Sequence, residues 1–184
     1  MSGIKKLLND IRFLMIAPFL NTQNQAIHMD IERWKSILHL SGSEKQVLKL
    51  LLSNYKEFRN LFIFRNTDRL FLCRMTRLMY RPLDSLYIMT NKIGGGLFIQ
   101  HGFSTYIAAE SIGENCWINQ QVTIGYRDNT SAPVIGNNVT ITCGAKVLGP
   151  ITVGDDAIIG ANAVVIRDVE PGSVMGGVPA HKLK

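Results

Sequence analysis

The sequence predicts an α+β chain in two parts: a helical region over residues 1–86, then a three-sided coil of short strands over residues 87–184, interrupted by one extended loop. Three observations carry this. Apolar residues recur three or four apart as far as about Pro82. From Ile135 onward every sixth residue is a β-branched aliphatic: Ile135, Ile141, Val147, Val153, Ile159 and Val165. The charge also changes between the parts, with 15 Lys+Arg against 7 Asp+Glu in residues 1–92 and 5 against 7 in residues 93–184.

The N-terminus opens with Lys5 and Lys6 before "IRFLMIAPFL", which has the look of a secretory leader. Asp10 and Arg12 interrupt it, and its apolar run is too short to span a bilayer. It reads as a helix that packs on the protein or lies on a surface. "IERWKSILHL", "SEKQVLKLLLSNYKEFRNLF" and "DRLFLCRMTRLMY" follow, each with helical spacing. Ser43 with Gln46 forms a capping-box signature. Arg81-Pro82 marks the end of the helical pattern, because the residue before proline is pushed out of helical geometry. The basic residues are dispersed at helical spacing with no block of like charges. That pattern expects solvated helix faces, or peripheral contact with the inner face of a membrane, and no nucleic-acid partner.

A period of six fits neither a helix nor simple strand alternation. It fits a coil whose three flat faces each take six residues, with β-branched side chains stacked inward and turns of glycine, asparagine and aspartate. Small residues fit the same scheme: Ala145, Ala157 and Ala163 lie two before the aliphatics, while Gly136, Gly154 and Gly160 follow them. The phase appears upstream at Ile112, Ile118 and Ile124, and earlier at Ile93 and Ile99. It slips twice, between Thr105 and Ile112 and between Ile124 and Ile135, where "GYRDNTSAP" fills the gap. Insertions in a coil become outside loops and commonly carry binding surface. Both slips lie close to His101 in sequence. The tail "VEPGSVMGGVPAHKLK" is expected to leave the coil through Gly-Gly and cover part of a side.

Cys73, Cys116 and Cys143 are odd in number and lack a CxxC pair, so neither a disulfide framework nor a metal knuckle is expected, and a reducing, cytoplasmic setting fits. Cys116 and Cys143 read as small apolar residues of the coil. No glycine-rich phosphate loop is present, which leaves nucleotide hydrolysis without support. His28, His39 and His181 read as structural or solvated. Taken by itself, His101 in "LFIQHGFSTYI" reads first as a histidine on a coil corner.

The stretches "KIGGGLFIQHG", "IGENCWINQQVTIG", "PVIGNNVTITCGAKVLGPITVGDDAIIGANAVV" and "GGVPAHKL" resemble the hexapeptide-repeat acyltransferases. Within them the chain is most similar to the serine acetyltransferase family and its relatives in bacterial capsule and exopolysaccharide gene clusters. The resemblance covers residues 92–184 and extends loosely to "EFRNLFIFR". It implies a left-handed parallel β-helix and acetyl transfer from acetyl-CoA to a hydroxyl, with His101 as the base that takes the hydroxyl proton. It implies that pantetheine lies between neighbouring subunits of a homotrimer, or of a pair of trimers. The matching positions are Gly125, Cys143, Gly144, Ala145, Gly160 and Ala161, where small residues allow close approach to backbone. Lys146, Arg167 and Lys182 are candidates for the CoA phosphates. No metal is implied.

Departures from the family pattern bear on the acceptor. The aspartate that assists the histidine in serine-specific members falls at Leu86, with Asp84 the nearest acid. The carboxylate used for the amino group of serine falls at Gln100, and the arginine and histidine that meet its carboxylate fall at Ser131 and Ala132. A zwitterion needs opposite charges at both ends. A saccharide needs neutral polar partners and aromatic faces, which Gln100, Asn119, Gln120, Gln121, Tyr106, Tyr126 and Arg127 could supply. The expectation is therefore a saccharide O-acetyltransferase, with serine O-acetyltransferase as the alternative. A non-catalytic β-helix assembly module stands as a third reading.

Overall fold

Five α-helices precede fourteen short strands among the residues described by the computed structural model, which are 3–20, 23–90, 92–128 and 131–184. Residue 2, where the helical pattern begins, and residues 129 and 130 of the long loop lie outside them. The chain divides into two compact units, Met1–Leu83 and Asp84–Lys184. This puts the boundary slightly before residue 86, because the first strand of the coil already begins at Leu86.

The helical unit contains α1 (Gly3–Ile16), a 3-10 turn (Ala17–Phe19), α2 (Gln25–Ile37), α3 (Glu44–Asn54), α4 (Lys56–Arg65) and α5 (Leu70–Met79). The capping box at the start of α3 is present: Gln46 Oε1 accepts from the Ser43 backbone N–H at 2.8 Å. The periodic run over residues 43–62 is two helices, broken at Tyr55 (φ −119°, ψ 107°). Arg59 answers the carbonyls that the break leaves open. Its guanidinium donates to Leu52 O and Ser53 O at 2.6 Å each and to Arg81 O at 2.7 Å. Ile31, Trp34, Val47, Leu51, Phe58 and Leu61 form the core, with the Trp34 ring edge-on to Phe58 at 5.2 Å.

One ion pair sits inside this core. Arg65 Nε and Nη2 donate to the two Asp30 oxygens at 2.8 and 3.2 Å, and both side chains are buried. Removing one partner of a buried pair strands the other charge, whereas replacing both removes the desolvation penalty as well. Asp30→Ala is expected to cost about 3–5 kcal/mol in urea denaturation, and a joint Asp30→Leu, Arg65→Met replacement clearly less.

The second unit is a three-sided parallel β-solenoid of about five turns. The first sheet stacks β1 (Leu86–Ile88), β3 (Thr105–Ile107), β6 (Thr123–Gly125), β9 (Lys146–Leu148) and β12 (Val164–Val165). The second stacks β4 (Ser111–Ile112), β7 (Val134–Ile135) and β10 (Thr152–Val153), extended by single bridges at Ile93 and Val169. The third stacks β2 (Phe98–Ile99), β5 (Trp117–Ile118), β8 (Thr140–Ile141), β11 (Ile158–Ile159) and β13 (Val174–Gly176), and ends with antiparallel β14 (His181–Lys182).

Strand register makes each sheet a ladder of like side chains. Ile88, Ile107, Ile124, Val147 and Val165 form the first. Ile93, Ile112, Ile135, Val153 and Val169 form the second. Ile99, Ile118, Ile141, Ile159 and Met175 form the third. Each fully buried Ile or Val contributes about 1.5–3 kcal/mol. The rung member in the second turn is thus Ile107, where the sequence period suggested Thr105. Thr105 is also buried, but its hydroxyl is used locally, donating to the Phe103 and Asn119 carbonyls at 3.3 Å.

Two corner columns have left-handed backbone. Gly96, Asn115, Asn138, Asp156 and Gly172 turn the chain from the second sheet to the third, and Ser104, Gln121, Gly144 and Asn162 turn it from the third to the first. Glycine and asparagine adopt this geometry at least cost. The tail covers the end of the solenoid, where a side had been expected. β14 caps the third sheet, and Val164 N–H donates to Gly177 O at 3.0 Å while Ala180 N–H donates to Val164 O at 2.8 Å, closing the first.

Candidate active site

His101 stands at a corner where the coil carries surplus residues. Its ladder neighbours Ile99 and Ile107 are eight positions apart, against six at the same corner one turn on, from Ile118 to Ile124. The surplus residues form a tight turn in which His101 itself is left-handed (φ 62°) and the Phe103 N–H donates to the His101 carbonyl. The residue is exposed. Beside it, Asn119 Nδ2 of the next turn donates to Gln100 Oε1 at 3.0 Å, so two expected acceptor-binding side chains are joined.

Below His101 the same corner descends through Gln120 and Gln121, then Cys143 and Gly144, then Gly160 and Ala161. Backbone bonds between successive turns run down it, from Gln121 N–H to Phe103 O, Gly144 N–H to Gln120 O and Asn162 N–H to Cys143 O. Lys146 Nζ leans onto it, donating to Gln121 O at 2.6 Å. Ala145 points inward and is fully buried. Most residues assigned to the thioester co-substrate therefore share one edge with His101.

The small residues have different reasons to be small. A Cβ at Gly144 would come within 2.0 Å of Asn162 Oδ1, and one at Gly160 within 2.9 Å of Met175 O, so coil stacking alone demands these glycines. At Gly125 an added Cβ would meet nothing within 4 Å. The chain's own packing therefore does not require glycine there.

Other assigned residues lie elsewhere. Tyr126 and Arg127 begin the long loop at the corner between the first and second sheets, and exposed Arg167 stands at the same corner two turns on. Tyr106 lies on the outer face of β3, its ring 5.9 Å from Tyr87. Lys182 Nζ donates to Glu170 Oε2 at 2.7 Å and holds that exposed carboxyl below its usual range. Leu86 is buried in the first rung and pairs with Thr105. In the long loop Ser131 is exposed while Ala132 and Pro133 are buried, and Pro133 O accepts from the Glu110 N–H at 2.8 Å. Sequence reading passed over Gly149, which has a left-handed φ of 93° and where an added Cβ would come within 3.3 Å of Arg127 Cβ. The Gly149-Pro150 pair was its signal. Among the described residues no cluster of three His, Cys, Asp or Glu could hold a metal ion.

Comparisons with known proteins bear on the repeat and the fold. A family model, "Bacterial transferase hexapeptide (six repeats)", matches residues 132–167. A serine acetyltransferase of Helicobacter pylori (strain J99) is 46% identical over 96 residues, which are 50% of this chain and 56% of that protein. The chain spans about half the length of the curated relatives it matches. Among solved structures, soybean serine acetyltransferase apoenzyme is similar with a TM-score of 0.66 and 26% identity, over 86% of this chain and 67% of that one. A serine acetyltransferase in complex with CoA gives 0.65 and 27%, over 86% and 68%. The repeat is thus that of the hexapeptide transferases, and the fold is the one that serine acetyltransferases share.

Gly125→Ala is expected to leave the thermal midpoint unchanged while weakening CoA binding severalfold in calorimetric titration. An unchanged CoA affinity would remove this position from the ligand groove.

Proposed function

We propose that this protein is an acetyl-CoA-dependent O-acetyltransferase, with His101 as its general base. The observation that carries the proposal is the position of His101 at the head of a corner whose lower turns present the small residues Cys143, Gly144, Gly160 and Ala161. Acetyl-CoA supplies an acyl carbon already activated as a thioester. His101 takes the proton of the acceptor hydroxyl as that oxygen attacks, then returns it to the departing sulfur. Such a base contributes about 10²–10⁴-fold. The carbonyl oxygen gains charge during attack and calls for donors such as backbone N–H groups.

Serine is the acceptor that the comparisons favour, since the similar proteins carry that name. This supports the alternative over the saccharide expected from residue chemistry. The saccharide reading keeps one specific observation: Gln100, Ser131 and buried Ala132 offer no charge for either end of an amino acid.

A homotrimer goes with this reading. His101 and the long loop leave different corners of the same prism, so one copy's base can meet another copy's loop around a threefold axis. Cysteine at Cys143 then serves as a small residue of the groove.

The test is release of free thiol from acetyl-CoA with L-serine or with a panel of oligosaccharides. Turnover with serine is expected, reduced at least about 100-fold by His101→Ala with CoA binding retained. Faster turnover with an oligosaccharide would move the assignment to the second reading. No turnover with any acceptor together with no binding of CoA would leave an assembly module.

A further inference from the structure

Helix α1 faces the wrong way for a helix that only packs on its own protein. Its inward side consists of Asn9, Phe13 and Ile16, which are buried, with Asn9 Oδ1 accepting from the Tyr80 hydroxyl at 3.3 Å. At 100° per residue the opposite side is Ile4, Leu7, Leu8, Ile11, Leu14 and Met15, an uninterrupted apolar stripe. These six are 45–72% exposed. Arg12 and Lys5 flank the stripe on one side and Lys6 stands beyond Asp10 on the other, and all three are exposed. The acid in this helix, Asp10, pairs with Lys49 of α3.

Helix α5 continues the surface. It packs beside α1, and its Phe71 ring meets Phe19 edge-on at 4.7 Å. Leu70, Phe71 and Leu78 are 56–73% exposed, and Arg74 and Arg77 stand exposed among them with no acid in the helix. The face is therefore apolar and basic together.

We propose that the outward faces of α1 and α5 dock on the surface of a bilayer that carries acidic phospholipids. Helices of this kind lie in the interface with the apolar stripe in the acyl boundary, while lysine and arginine reach up to the phosphates. The charge decides between occupants. A second copy of the same face would set Lys5, Lys6, Arg12, Arg74 and Arg77 against their own equivalents, whereas an anionic surface complements all five. Among the described residues no helix is long and apolar enough to cross a membrane, so contact is peripheral. The inference is independent of the acyl-transfer reading and concerns a different unit of the chain.

Co-sedimentation of the full chain with phosphatidylcholine vesicles, with and without phosphatidylglycerol, tests it. Binding to the phosphatidylglycerol vesicles at low salt is expected, with release as salt screens the charges. A paired Ile11→Glu, Leu14→Glu variant should bind roughly tenfold less or weaker still with an unchanged far-ultraviolet spectrum. A Lys5→Glu, Lys6→Glu variant should lose binding and its salt dependence together. Absence of binding to either vesicle at low salt overturns the proposal. So does a paired glutamate variant that still binds, or one whose native mass by light scattering falls to a fraction of the wild type, which would make the face an interface between copies.

Discussion

Stacking of β-branched side chains in three inward ladders is the constraint on which the rest of the second unit depends. Each rung, such as Ile124 over Val147 in the first sheet, fixes the register of its strand against the next. Once rungs are in register, corners are too, and the residues at a corner form a column along the outside. The column holding His101, Gln121, Gly144 and Ala161 is a consequence of packing at Ile99, Ile118, Ile141 and Ile159. The candidate site is placed on the surface by the core beneath it.

The two departures from the six-residue period do the opposite work. The surplus residues after Ile99 lift His101 out of the column's backbone, and the segment after Ile124 throws a loop from a neighbouring corner. Neither disturbs the ladders, because the chain rejoins them at Ile107 and Ile135. Five-residue steps from Ile88 to Ile93 and from Ile107 to Ile112 absorb part of the surplus in the first two turns. The stacked rungs and the candidate site thus use different residues of the same turn.

The solenoid was legible because its signal is chemical as well as periodic: β-branched aliphatics fill every rung position except Met175. Where a polar β-branched residue stood near the right place, as at Thr105, period alone chose wrongly. The break at Tyr55 was hidden because Arg59 supplies its partners from seven residues beyond Leu52 and across to Arg81. The apolar stripe of α1 was visible, but its direction was not, since periodicity shows that a helix has two faces without showing which is covered. At the candidate site, His101 stood out through family resemblance, while its acceptor did not. The partner loop leaves another corner, and the charges that would name the acceptor are missing from Gln100, Ser131 and Ala132.

The central claim is that a working site joins His101 of one copy to the long loop of another. Subunit complementation tests it most directly. His101→Ala protein and protein with Tyr126→Ala and Arg127→Ala, each inactive or strongly impaired alone, are unfolded, mixed and refolded together, and thiol release is measured. The account predicts that mixed trimers recover a substantial part of wild-type turnover, because some interfaces then pair an intact histidine with an intact loop. Mixed trimers confirmed by native mass that recover nothing would contradict it.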